Sequence, residues 1–550
     1  MRIFLFIILS INILSVNAQD RKYKTDLNYV EKPKLVVGIV VDQMRWDFLY
    51  RFYERYSKKG GFKRMLHEGF SFDNTFIPYM PTVTGCGHAS IYTATVPAIH
   101  GIVGNNWPDK KEGALIYCSE DKNVTGVGTL AKTGQMSPRN MLTTSICDEL
   151  KLATNFRSKV VGVALKDRGS ILPAGFSADA AYWYEPKSGN WISSSFYMNR
   201  LPEWVNAFNS DKMADKYYAL GWNTLYDINT YGQSTKDNQD YAGTPFGNEQ
   251  KGFPYSLNKF IGNNYDAIIK TPYGNSITIS FAREAIKNEK LGADEITDFL
   301  AISFSSPDYI GHNFGPNSIE IEDNYLRLDH DLGVFFDFLD STIGKSNYLS
   351  FLTADHGVAH VPSFLQKHKI PSGWLDDQQI ADTLNKILMI KYGSDKLVQY
   401  IHNYQIYLHH PLMDSLKLSR EDLIDAIIGI LKKEKGIDRV FELDEMMELP
   451  LPLTVREQIV NGYHPDRSGD IQIILKPGWI DGGKTGTTHG LWNPYDSHIP
   501  LLWYGWKIPK GSSSEQVYMT DIAATVSALL HIQMPSGSIG KSLAPIIYRK

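Results

Sequence analysis

The run PKLVVGIVVDQMRWDFL, residues 33–49, decides the fold class. It opens with an apolar, mostly β-branched stretch, Leu35–Val41, that ends abruptly on Asp42. A strand wet on one face alternates apolar and polar residues. An unbroken apolar run of this length suits a parallel strand buried on both faces, its first polar residue lying where the chain leaves the sheet. The same form recurs along the chain. SKVVGVALKDRG (158–169) runs into Lys166, Asp167 and Arg168, TDFLAISFSSPDYIGH (297–312) into Asp308 and His312, and SNYLSFLTADHG (346–357) into Asp355 and His356. DIQIILKPGW (470–479) and HIPLLWYGWKIP (498–509) are further strand candidates. Helical patterns lie between, such as MLTTSICDELKLAT (141–154) and EDNYLRLDHDLGVFFDFLDSTI (322–343). This alternation predicts an α/β fold with a mainly parallel central sheet flanked by helices on both faces. Ligands of open α/β sheets bind beyond the carboxyl ends of the strands, and four strands deliver Asp, His, Lys or Arg there.

Two regions break the rhythm. Residues 171–290 are rich in Tyr, Asn, Trp and Gly and are expected to form an inserted cap. Residues 362–468 include SREDLIDAIIGILKKEKG, an amphipathic helix with Ser419 as N-cap, and are expected to form a small α/β subdomain. Both lie within one catalytic domain spanning 19–550. The composition, 43% hydrophobic and 21% charged, is that of an ordinary globular protein. A net charge of −4 without a basic stripe argues against a nucleic-acid partner. The N-terminal MRIFLFIILSINILSVNAQD reads as a signal peptide over 1–18, with Val16-Asn17-Ala18 as the cleavage pattern. Its apolar run is too short and interrupted for a good membrane anchor. The expectation is a secreted or periplasmic monomer without stable membrane insertion. Three cysteines, Cys86, Cys118 and Cys147, do not make a disulfide framework, and whether any two are bridged stays open.

Asp308 and His312 are four apart, so on a helical turn both face one way and can share a metal. Asp355 and His356 are neighbours in an irregular loop, where they can reach different sides of an ion. His489 lies in the glycine- and threonine-rich GKTGTTHG, and Asp42 completes three aspartates and three histidines. Mixed carboxylate and imidazole ligands suit zinc. Six are too many for one catalytic zinc but suit two ions about 4 Å apart, an arrangement that can hold the attacking and leaving oxygens of an in-line displacement. Singly, each has a plainer role: Asp42 and Asp355 as helix N-caps, His312 and His489 as loop histidines. Their joint placement at strand ends favours the metal reading.

The blocks VVDQMR, MPTVTGCGHASIYTATVPAIHGIVGNNW, VALKDRG, SSPDYIGH, TADHG, HPDRSGDI, GTTHG and YMTDIAATVSALL appear in order over nearly the whole mature chain. In them the chain resembles the alkaline phosphatase superfamily, and within it the phosphate-irrepressible alkaline phosphatases that use a threonine nucleophile. The resemblance implies two zinc ions, one on Asp308, His312 and His489 and the other on Asp42, Asp355 and His356, the latter also binding the nucleophile. It implies Thr84 as that nucleophile, with Asn105, Lys166 and Arg168 contacting phosphate. Metal coordination is one recognised way to activate so weak an acid as a threonine hydroxyl, and the helix-like run after Thr84 would place it at the positive end of a dipole. Thr82 is expected to shape the turn, His88 to be a helix residue rather than a ligand, and His498 to start a strand. On an extended chain, Lys166 and Arg168 would point to one side, with Asp167 opposite. Two added cations favour a phosphate monoester dianion over a diester. Sulfatases need a Cys/Ser-x-Pro-x-Arg motif that TGCGHAS lacks. The expected function is a phosphate monoester hydrolase working through a phosphothreonine intermediate on small-molecule esters. Two alternatives stand beside it: a phosphodiesterase or nucleotide pyrophosphatase on the same site, and a non-catalytic zinc-containing binding protein.

Overall fold

The computed structural model describes residues 31–110 and 113–548, so the expected signal peptide lies outside the described residues. The buried apolar runs form the centre of a ten-stranded sheet. Its order is Gly511–Tyr518, Phe70–Phe76, His498–Gly505, Tyr348–Thr353, Leu35–Val41, Asp298–Phe304, Val160–Ala164, Ala180–Glu185, Asn190–Ser194 and Gly126–Val127. The five strands from Tyr348–Thr353 to Ala180–Glu185 are all parallel, and antiparallel pairs appear outside them. Every residue of Leu35–Val41 and of Asp298–Phe304 is buried, which explains why neither strand alternates. The resulting fold is α/β, with a large, mainly parallel sheet and flanking helices that include Thr84–Thr93, Asp167–Ala174, Tyr273–Glu289 and Ile319–Thr342.

Within 171–290, Ala180–Glu185 and Asn190–Ser194 extend the central sheet, and Tyr273–Glu289 packs beside Asp298–Phe304. The irregular aromatic stretch between them is tied to Ile319–Thr342 by buried polar contacts. Trp222 Nε1 donates to Asp323 Oδ2 (2.8 Å), Tyr231 OH to Asp323 Oδ1 (2.6 Å) and Tyr255 OH to Glu320 Oε1 (2.6 Å).

DIQIILKPGW does form a strand, Ile471–Leu475, but in a second sheet ordered Val398–His402, Gln405–Leu408, Ile471–Leu475 and Ile437–Glu442. Helices Asp377–Tyr392 and Arg420–Leu431 belong to this unit, whose own core includes Leu384, Leu388, Ile406, Ile427 and Ile473. Ser419 caps the second helix by accepting from the Asp422 N–H. The hairpin joining the first two strands turns at Asn403 and Tyr404, both left-handed (φ 53° and 61°), as a tight two-residue turn requires. Cys86, Cys118 and Cys147 are buried free thiols. No helix among the described residues is long and apolar enough to cross a membrane.

Candidate functional site

Three adjacent parallel strands end level, because Val41 pairs with Phe304 and Val40 with Thr353. Asp42 is the first residue past its strand and its N–H still donates to Phe304 O (3.1 Å). Asp308 and His312 lie one turn apart on the helix Ser306–Phe314 that follows the second strand. Asp355 and His356 follow the third, where Asp355 Oδ1 accepts the N–H groups of Gln43 (3.1 Å) and His356 (3.0 Å). His489 arrives on the loop between Trp479–Asp481 and Pro494–Ser497. The six side chains converge in two groups, Asp308, His312 and His489 in one and Asp42, Asp355 and His356 in the other, with the donor atoms of each group within 4.8 Å of one another.

These groups fit divalent cations by a test independent of residue type. Each histidine Nδ1 faces a backbone carbonyl: His312 that of Thr487 (2.8 Å), His356 that of Gly357 (2.9 Å) and His489 that of Thr82 (2.7 Å). In a neutral imidazole, donation there leaves Nε2 as a lone pair, the arrangement second-shell contacts impose on metal-bound imidazoles. Those lone pairs face carboxylates, with His312 Nε2 3.1 Å and His489 Nε2 3.6 Å from Asp308 Oδ1, and His356 Nε2 3.5 Å from Asp42 Oδ1. A lone pair facing an anion repels it unless a proton or a metal cation lies between. Two buried oxygens, Asp42 Oδ1 and Asp355 Oδ2, have no hydrogen-bond partner. Against the three carboxylates stands one ammonium, Lys166, whose Nζ donates to Asp42 Oδ2 and Asp308 Oδ2 (2.6 Å each).

Burial lowers the His312 imidazole, but the Asp308 carboxylate outweighs it and raises the group, so without a metal its Nε2 favours a proton that a cation would displace. Burial pushes the His356 imidazole down to about 3 and also lowers His489, so both are neutral, as ligands must be. Burial raises the Asp308 carboxyl, but His312 and Lys166 outweigh it and hold that group well below the usual range. Asp355 is likewise low, its burial outweighed by neighbours that include His88 and Lys166. Asp42 shares Lys166 with Asp308 yet is raised well above its ordinary value. Burial is the main cause, and the Asp355 carboxylate adds to it, together outweighing Lys166. A cation at Asp42 would restore its ionised form.

Thr84 is the first residue of the helix Thr84–Thr93, after Val83 as N-cap. Its buried Oγ1 lies 3.4 Å from His356 Nε2 and 3.3 Å from Lys166 Nζ. Gly87 has no room for a side chain, since a Cβ there would meet Asp355 O at 2.4 Å. Asn105 Oδ1 accepts the Gly85 N–H (2.8 Å), which leaves its amide N–H groups as donors. Thr82 does more than shape a turn: its Oγ1 donates to Leu491 O (2.9 Å) while its carbonyl orients His489, so it latches the two loops together. Lys166 and Arg168 do not form an extended segment as expected. The strand stops at Ala164, Lys166 is the N-cap of Asp167–Ala174, and Arg168 lies in its first turn. A strand-to-helix turn therefore delivers the pair. Arg168 Nη1 donates to Tyr117 OH (2.9 Å), and its buried Nε has no partner.

Other residues belong to the site that local sequence does not mark. Gln43, left-handed at φ 66°, donates from Nε2 to Asp308 Oδ1 (2.6 Å) and from its backbone to Asp355, bridging the two groups. Tyr309 faces Lys166, its ring centroid 5.1 Å from Nζ. His88 is a helix residue, and its Nδ1 lies 3.0 Å from Thr84 O and 3.2 Å from Asp355 Oδ2. Its spacing, one turn after Thr84, could have signalled this. His498 starts the strand His498–Gly505 and stacks on Trp46 and Phe76. Beside the site lies a cavity of about 230 Å³ lined by Asn105, His312 and His489, by Asp377 and Asn403 from the second sheet's unit, and by Asp481 at the end of Trp479–Asp481. Asn403 Nδ2 donates to Asn106 O (3.2 Å), so that unit also braces the Asn105 segment.

A family model described as type I phosphodiesterase / nucleotide pyrophosphatase matches residues 36–496. A Myroides odoratus protein named calcium-transporting ATPase is 50% identical over 523 residues, 94% of this chain and 95% of that one. Alkaline phosphatase PhoV of Synechococcus elongatus is 49% identical over 540 residues, 97% of each chain. Alkaline phosphatase PafA of Elizabethkingia meningoseptica is 49% identical over 528 residues, 95% of this chain and 96% of that one. A crystal structure of wild-type PafA matches with a TM-score of 0.92 over 94% of this chain and all of that one.

Proposed function

The chain belongs to the type I phosphodiesterase / nucleotide pyrophosphatase family of the alkaline phosphatase superfamily, and on that footing we propose that it is an alkaline phosphatase, a zinc-dependent phosphate monoester hydrolase with Thr84 as nucleophile. The observation that carries this reading is the Thr84 hydroxyl at a helix N-terminus, between His356 and Lys166, where the two donor groups meet. Asp42, Asp355 and His356 would hold one zinc, and Asp308, His312 and His489 the other. Bound there, zinc supplies a lowered hydroxyl pKa at Thr84 and neutralises charge on the leaving oxygen. Three protein ligands per group, rather than the four of closed structural sites, argue for catalysis over a purely structural role.

In this reading Thr84 Oγ attacks phosphorus in line. The Oγ–P bond forms, the bond to the leaving alcohol breaks, and water then hydrolyses the phosphothreonine. The helix N-terminus favours the negative charge on Oγ and on the ester. Asn105, held by the Gly85 N–H, presents its amide to a phosphoryl oxygen. Arg168 offers its unpartnered Nε and remaining guanidinium donors, and Lys166 a point charge. A loose transition state spreads charge over three equatorial oxygens, which only a monoester leaves free for these donors. The family model's own description keeps a diesterase in view. The deciding measurement is turnover of an aryl phosphate and its methyl diester by zinc-loaded protein, together with acid-quench trapping of label on Thr84. A Thr84→Ala variant that binds zinc and keeps wild-type turnover would overturn the nucleophile, and a faster diester reaction the substrate class. Export through residues 1–18 is part of the same reading, tested by sequencing the N-terminus of the mature protein.

A further inference from the structure

The cavity beside the donor groups has two sides of different origin. Asn105, His312 and His489 belong to the reaction as proposed above. His402, Asn403 and Tyr404 come from the second sheet's first hairpin, Asp377 from the helix Asp377–Tyr392 of that unit, and Asp481 from the strand Trp479–Asp481, which pairs with Gly373–Leu375. At about 230 Å³ the cavity is smaller than the roughly 300–1,000 Å³ that encloses a drug-sized ligand. It can enclose a short alcohol, whereas a nucleoside would project from it.

Its charge is one-sided. Asp377 opens the helix Asp377–Tyr392 and Asp481 ends the strand Trp479–Asp481, and Asp481 Oδ1 accepts the Asp377 N–H (3.2 Å). The charges that act on the pair are each other's and that of Asp376, all negative. No cation among the described residues answers the pair. Burial, and then Asp481, push the Asp377 carboxyl up to about 7, so the pair is strained when ionised. The wall beside them carries the buried Tyr404 ring, and His402, whose sealed Nε2 has no hydrogen-bond partner. Carboxylates beside an aromatic ring are the surroundings in which alkylammonium groups bind.

We propose that this cavity takes the leaving group and that Asp377 and Asp481 set its specificity, favouring small monoesters whose alcohol carries an ammonium group over those whose alcohol carries further negative charge. The inference rests on the monoesterase reading above and adds the substrate class to it. The phosphoryl end meets Lys166 and Arg168 while the alcohol's cation meets the carboxylate pair, so the site is bipolar along the ester.

The test uses the zinc-loaded full chain at pH 8.5 and three two-carbon monoesters: phosphoethanolamine, ethyl phosphate and phosphoglycolate. The quantity read is the kcat/KM ratio of phosphoethanolamine to phosphoglycolate in wild type and in Asp377→Asn/Asp481→Asn, which cancels intrinsic differences between leaving groups. Loss of two partly buried charges should lower the ratio roughly 10- to 100-fold. A variant ratio within twofold of wild type overturns the inference, including the case in which all three rates fall together, as a merely structural role would produce. Should the double variant not fold, Asp377→Asn alone decides, because that carboxylate accepts no hydrogen bond whose loss would matter to the fold. Hydrolysis of ethyl phosphate without the ratio change sinks this inference and leaves the monoesterase reading standing. Failure of wild type on every monoester sinks both.

Discussion

Removing the Arg168 guanidinium should separate monoester from diester chemistry more cleanly than any other single change at this site. Lys166 is a poorer choice, since its ammonium is the one contacting Asp42 and Asp308, and its loss would leave buried carboxylates uncompensated. The Arg168 side chain spends Nη1 on Tyr117 OH and has a buried, unpartnered Nε, so at least that donor and Nη2 are available to phosphate. Two charge-assisted hydrogen bonds at about 1.5–3 kcal/mol each amount to roughly 3–6 kcal/mol. Water entering the vacated space recovers part of this, which leaves about 3–4 kcal/mol, or a loss of roughly 10²–10³ in kcat/KM. A methyl diester carries one charge less and offers one oxygen fewer, so about one of the two bonds is lost and the fall should be near tenfold. The assay is kcat/KM of Arg168→Ala on 4-nitrophenyl phosphate and its methyl diester, with zinc content and Tm measured on the same preparation. Equal losses on both esters, or a monoester loss under fivefold, would refute the assignment of Arg168 to the phosphoryl oxygens.

Other predictions follow from separate features. Gly87→Ala would press a Cβ to 2.4 Å from Asp355 O and 2.5 Å from Asp355 Cβ. It should therefore drive Asp355 and His356 out of place and lower bound zinc by about one ion per chain, as read by elemental analysis; unchanged zinc content contradicts the packing argument. Chelating the metal leaves three carboxylates against one ammonium and should lower Tm by at least about 5 °C, reversed by zinc, in a thermal melt; an unmoved Tm would count against the two donor groups. Glu320 is raised to about 7, chiefly by burial, so the folded protein binds the extra proton between pH ~4.5 and ~7 and loses stability as pH rises through that window. Glu320→Gln should thus be more stable than wild type at pH 8 by roughly 1–3 kcal/mol, an advantage that fades by pH 5, measured as the difference in denaturant midpoints; the opposite trend refutes it. Asn403→Ala removes the donor to Asn106 O and should lower monoester kcat/KM about three- to tenfold with Tm nearly unchanged, and no change in rate would deny the hairpin a part in positioning Asn105.

The α/β class was legible in the sequence because burial on both faces imposes a local signature, an unbroken apolar run ending in a polar residue, as in Leu35–Val41 followed by Asp42. Five of the six donor-group residues were legible for a related reason: strand ends are where an α/β sheet presents chemistry. Asp42, Asp355 and His356 follow such ends closely while Asp308 and His312 lie on the helix after one, whereas His489 sits in a loop outside the central sheet. Assigning roles to Thr84, Asn105, Lys166 and Arg168 drew on the resemblance, since none of the four has a local pattern that separates a helix cap or a surface charge from a catalytic group.

Tertiary structure alone decided the rest. Ile471–Leu475 is as apolar as the central strands, and only pairing placed it in the second sheet. The residues that tune the site act across long stretches of chain: Gln43 on Asp308 and Asp355, Thr82 on Leu491 and His489, Thr487 O on His312, Tyr117 on Arg168. Hydrogen bonds between positions 51 to 409 residues apart leave no periodicity to read, because the directions of the groups they join are set by packing. The same holds for the cavity, whose far wall of Asp377, Tyr404 and Asp481 has no motif and is assembled only when separate stretches of chain fold together beside the donor groups. The sequence by itself determined which chemical groups the sheet would present. The fold decided their directions, their hydrogen-bond partners and the cavity they line, because those depend on distances that no local stretch of chain encodes.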